Sequence, residues 1–139
     1  MGAMPADLLS EGTVLVLALL TALHAPTCPR VVLLDDIDAA LHPAAQSALI
    51  AALRHVLAMK PEVQIIATTH SPYLLDSFEP EDVIVLRSDP KSGHAQARSL
   101  AEHPDAASTK GLLRTGELWS SVGDDWIYGD AEDPGVEQT

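Results

Sequence analysis

Apolar residues fall along the chain in two textures. Thr13 to Ala25 (TVLVLALLTALHA) is apolar almost throughout, and Val31 to Leu34 (VVLL) and Val63 to Thr68 (VQIIAT) are short runs rich in β-formers. Between the short runs, Leu49, Leu53, Val56 and Leu57 recur at helical spacing and share one face. The pattern predicts a helix after Ser10, a strand at 31–34, a helix from Pro43 to Met59 and a strand at 63–68. Ser10 suits an N-cap because its hydroxyl can accept a first-turn N–H. Pro43 fits a first helical turn. Pro26 with Pro29, and Lys60 with Pro61, stop the helices they follow. Apolarity without alternation predicts strands buried on both faces, as in a parallel sheet. Strand, helix and strand then form a βαβ unit with a right-handed crossover.

Past this unit the pattern predicts a short turn or helix over 73–77 and a third strand at 83–87. A turn at 89–93 then leads into a strand near 94–99. Short helices are expected around 105–113 and 115–122, followed by a frayed tail. The organisation reads as a start at 1–7, a lobe at 8–100, short helices at 101–128 and an acidic tail at 129–139. The opening MGAM has the look of a cloning remnant or an arbitrary start.

Charge narrows the functional classes. The formal net charge is −12 with eight Lys and Arg, so no basic cluster exists to bind a phosphate backbone. No base follows Arg114, whereas Glu117, Asp124, Asp125, Asp130, Glu132, Asp133 and Glu137 do. That stretch reads as a solvated acidic tail, with docking to a basic partner as the alternative. Cys28 is the single cysteine, which excludes an internal disulfide framework and suits a reducing cytoplasmic setting. The apolar stretch at 13–25 is too short for a bilayer-spanning helix. It follows Asp7 and Glu11 rather than the basic residues of a signal peptide.

The candidate chemistry lies at strand ends. Asp35, Asp36 and Asp38 follow the first strand, and His70 follows the second. Ligands of open parallel sheets bind beyond the carboxyl ends of the strands, where both groups fall. One or two carboxylates there can hold Mg2+ alongside substrate phosphates. Taken singly, the acids could equally cap the next helix, and a lone histidine after a strand is commonly structural.

Taken together, Leu9-Ser10-Glu11-Gly12, VVLLDDID, Leu41-His42-Pro43 and ATTHSP (67–72) resemble the second half of an ABC-type ATPase head. The similarity is greatest to the branch of recombination-repair, chromosome-maintenance and overcoming-lysogenization-defect ATPases, which are AAA-like ATP-binding proteins. Four motifs match in order over 8–87. The resemblance implies a partial P-loop NTPase fold of the α/β class, a C-terminal lobe of parallel strands with flanking helices. It implies that Ser10 and Gly12, in the signature motif, contact the γ-phosphate of ATP held by the opposite protomer. Asp35 then binds Mg2+ as the Walker B aspartate, and Asp36 positions the attacking water. His70 senses the γ-phosphate, and 39–43 corresponds to the loop crossing the dimer interface. ATP and Mg2+ are the implied cofactors, in a homo- or heterodimer.

Two departures qualify the resemblance. The family usually has Glu where this chain has Asp36, whose carboxylate reaches one methylene less far. No G-x-x-x-x-G-K-[ST] loop occurs in the sequence, and none of Lys60, Lys91 and Lys110 follows a glycine. A nucleotide site would therefore need a P-loop-bearing lobe or a full ATPase head as partner, and this chain alone is expected to be inactive. Apolar surface left bare for such a lobe predicts self-association. Two other readings stand beside this one. The chain could be a non-catalytic module that pairs with a full-length head. A Toprim-like metal site on Asp36 and Asp38 would need a glutamate on another strand end, and none is suitably placed.

Overall fold

The computed structural model describes residues 8–89 and 93–128. The expected start at 1–7, the middle of the 89–93 turn and the tail at 129–139 lie outside these residues. The chain divides into two compact units between Leu74 and Leu75. That boundary falls within the stretch 8–100, which the sequence pattern reads as one lobe.

The first unit holds the predicted βαβ arrangement behind a leading helix. Helix α1 spans Glu11–His24, and Ser10 caps it by accepting the Thr13 N–H. At its far end the Lys60 ammonium donates to the Leu23 carbonyl at 2.6 Å, a cation at the negative end of the helix dipole. Strand β1 is Val31–Leu34, α2 is Pro43–Met59 and β2 is Gln64–Ala67. The two strands pair in parallel, from Val31 opposite Gln64 to Leu34 opposite Ala67. Helices α1 and α2 pack on each other. Leu19 and Leu23 of α1 are buried, as are Leu49, Ile50, Leu53 and Val56 of α2. Each such side chain contributes about 1.5–3 kcal/mol by leaving water.

The sheet corrects one expectation. Its strands are not buried on both faces: Val31, Leu33 and Ile66 are 53%, 73% and 51% exposed, while Val32, Leu34 and Ile65 are half-buried. The physical reason is layer number. With only two paired strands and cover on one side among the described residues, a continuous apolar run leaves every second side chain bare.

A single turn, α3 (Pro72–Leu75), leads out of the first unit. In the second unit, β3 (Ile84–Ser88) and β4 (Ala95–Ser99) form the expected antiparallel hairpin. Helices α4 (Pro104–Ser108) and α5 (Thr115–Val122) follow, then a 3-10 turn at Asp125–Tyr128. Leu75, Val83, Val85, Leu100, Ala106, Leu118 and Ile127 form a closed core. Trp119 and Trp126 pack against that core, so both tryptophans anchor their segment. Gly123 ends α5 at φ 61°, a left-handed value that suits glycine.

The acids in this stretch are more than a solvated run. Glu117 accepts the Arg114 N–H at 2.9 Å at the start of α5. Asp125 pairs with Arg87, which also lies over the Tyr128 ring. The bond to Asp125 holds the Arg87 guanidinium above its ordinary pKa.

Candidate functional site

Parallel pairing sets Leu34 beside Ala67, so the residues after both strands emerge at one end of the sheet. They are Asp35, Asp36, Ile37 and Asp38 on one side and Thr68, Thr69, His70 and Ser71 on the other. The parallel ladder runs one step beyond the strands, with Thr68 N–H donating to Leu34 O at 2.9 Å and Ile37 N–H to Thr68 O at 3.2 Å.

Thr68 organises the acids. Its hydroxyl donates to Asp35 Oδ1 at 2.6 Å and accepts the Asp36 N–H at 2.9 Å. One side chain thereby fixes the carboxylate of the first acid and the backbone of the second. Asp36 sits at φ 46°, a left-handed conformation that costs roughly 1–2 kcal/mol for most residues and is milder for Asp. Besides the bond to Thr68, the Asp36 carbonyl accepts the Ala39 N–H at 2.9 Å. Such strain, held by its surroundings, gathers at functional sites. Next along, Thr69 Oγ1 donates to Asp38 Oδ1. The side chain of Ile37, 2% exposed, points inward and plugs the loop into the core.

Asp35, Asp36 and His70 are exposed, and His70 has no hydrogen-bonding partner among the described residues. Asp35 takes no second hydrogen bond there, so its other oxygen is available to a ligand. No cluster of three or more His, Cys, Asp or Glu poised for a metal occurs among the described residues. The donor set therefore fits Mg2+ in one manner: a single carboxylate here, with the remaining oxygens drawn from substrate, water and elsewhere.

The start of α1 joins the site through glycine. Gly12 is buried, and a Cβ there would overlap the Ala40 carbonyl oxygen and come within 2.7 Å of Leu41 Cδ2. Without a side chain, the helix seats against the 39–41 loop. Ser10 is exposed, its Oγ engaged as the cap and 2.8 Å from Thr13 Oγ1. The structure thus brings Gly12 onto the 39–41 loop, and Asp35 and Asp36 beside the strand end that carries His70.

Four residues carry contacts to which the sequence reading gave no role: Thr68, Thr69 and Ser71, inside the ATTHSP motif, and Gln46. The signals were present. Two hydroxyls stand between strand and histidine, and Gln46 is a polar residue in phase with the buried stripe Leu49, Ile50, Leu53 and Val56. His42, within the 39–43 stretch, caps α2, its Nδ1 accepting the Ala44 N–H at 3.3 Å.

Comparison with known proteins gives the family of this stretch. The family described as "AAA domain, putative AbiEii toxin, Type IV TA system" matches residues 2–76, which include every site residue above. That is more than half of the chain, and the chain belongs to this family of AAA-type ATPase domains, which generally use ATP and Mg2+. Over 58 residues it is also 40% identical to Septu protein PtuA of Bacillus thuringiensis. The match covers 42% of this chain and 14% of that relative. No helix among the described residues is long and apolar enough to cross a membrane.

Proposed function

We propose that this chain is the second half of an ABC-type ATPase head, in the recombination-repair and overcoming-lysogenization-defect branch, and works with a P-loop-bearing lobe. The observation that carries the reading is the Thr68 bracket. It holds Asp35 and Asp36 at the mouth of a parallel sheet, two residues from His70, which has no partner among the described residues. In this reading the free oxygen of Asp35 holds Mg2+, which neutralises phosphate charge when bound. Asp36, exposed beside Asp35, orients the attacking water. His70 donates to the γ-phosphate. Ser10, at the α1 N-terminus, faces the nucleotide of a second head, where free N–H groups and the helix dipole favour an anion. The bare Val31, Leu33 and Ile66 face offers a P-loop-bearing lobe an apolar seat. The partner is a P-loop lobe or whole head in a homo- or heterodimer, and this acidic chain makes no direct contact with nucleic acid.

Calorimetry with Mg2+ and ATP, followed by turnover assays, tests the reading. The chain alone is expected to bind no Mg-ATP. Co-expressed with a lobe that carries a G-x-x-x-x-G-K-[ST] loop and binds this chain, the assembly is expected to hydrolyse ATP. Asp35→Ala should then lower kcat about 100-fold or more, with the fold unchanged by circular dichroism. Turnover indifferent to Asp35→Ala would sink the proposal. Assembly without turnover would instead favour a non-catalytic pairing module, the alternative that Asp36 in place of Glu supports.

A further inference from the structure

Gln46 is 5% exposed, a polar residue where the α2 stripe calls for an apolar one. Burying an amide costs a few kcal/mol unless both of its ends are bonded. Both are. Its Oε1 accepts from Ser71 Oγ at 2.7 Å, and its Nε2 donates to the Leu41 carbonyl at 3.1 Å. Ser71 is itself 8% exposed.

The two bonds end at functionally distinct places. Ser71 directly follows His70, and its N–H donates to Thr69 Oγ1 at 3.0 Å, which in turn holds Asp38. Leu41 belongs to the 39–41 loop, against which Gly12 seats the start of α1. One amide therefore spans from the histidine loop to the loop under the α1 N-terminus. A fully satisfied buried network of this kind is stiff, because every member restrains the next.

We propose that Gln46 is a positioning residue that holds the His70 loop, the 39–41 loop and the first turn of α1 as one body. A core role alone is better filled by leucine or methionine, with no polar group to satisfy. The catalytic consequence rests on the ATPase reading: a contact made by His70 is transmitted through Ser71 and Gln46 to the surface that meets the second head.

The test is hydrogen exchange on the full chain, comparing wild type with Gln46→Met, Ser71→Ala and Ile50→Val. The last lies on the same buried stripe outside the network and controls for general loosening. Ser71→Ala should speed exchange about tenfold within 68–71, as expected for one lost buried hydrogen bond. The increase should extend to Ala39, Leu41 and Thr13, whose N–H groups are bonded to Asp36, Asp38 and Ser10. Gln46→Met should do the same from the other side. If it fails to fold, Ser71→Ala decides. An effect confined to 68–71, or one that Ile50→Val reproduces, overturns the proposal. In the assembled ATPase, Gln46→Met should lower kcat about tenfold at unchanged KM. An unchanged kcat would overturn the transmission. Absence of wild-type turnover would overturn the ATPase reading and leave the exchange result to decide the rest.

Discussion

The two units of this chain use similar apolar residues to opposite ends. The second, from Leu75 onward, pairs β3 antiparallel with β4, its neighbour in sequence, and closes a core around Leu100, Leu118 and Ile127. Its charged groups pair nearby, as Arg87 does with Asp125. The first unit pairs β1 with β2 in parallel across a 17-residue helix and leaves Val31, Leu33 and Ile66 bare. Among the described residues, its Asp35, Asp36 and His70 make no ion pair. A hairpin can finish its own packing, whereas a parallel pair needs layers on both faces. The unit with the barer sheet also holds the exposed acids and His70, and the proposed P-loop lobe would meet both.

That contrast can be broken experimentally. The largest effect is expected from Leu100→Ala, which empties a fully buried site and should cost about 3 kcal/mol. Exchange protection should fall across 84–88 and 95–99. Equal loss at 31–34 and 64–67 would show that the two packings are not separate. Gly12→Ala comes next. The new methyl has no room against Ala40, so chemical denaturation should report about 2 kcal/mol lost from the first unit. A neutral result would mean that the 39–41 loop yields freely. The smallest stability effect belongs to Leu33→Lys, within about 0.5 kcal/mol because the side chain is already exposed. Its consequence should appear instead in association. Light scattering should show less self-association of the chain, and pull-down should show loss of the P-loop lobe. Unchanged assembly would remove the sheet face from the proposed interface.

Much of this was legible in the residues. Ser10, Pro43 and Lys60-Pro61 marked helix ends because capping and proline effects are local. The parallel pairing followed from two apolar runs separated by a helix. The acids and histidine could be placed because strand ends define where a sheet binds ligands. What stayed hidden depends on contacts distant in sequence. The bond from Thr68 to Asp35 spans 33 positions and that from Ser71 to Gln46 spans 25, and no periodicity announces either. Exposure of the sheet was hidden for a different reason. A run such as VVLL records the environment a strand is built for, and the described residues supply only part of it.

Gly12 has a consequence for how such sequences vary. The space it leaves is filled by Ala40 and Leu41, so substitutions at these positions are not independent. In a saturation library, most replacements at position 12 should be lost, and the survivors should carry second changes that shorten or reroute the 39–41 loop. A pair of co-selected sites would then mark, in a statistical survey, the seat of the helix on its loop. The glycine would covary with the loop because it makes room for it, whatever else it touches.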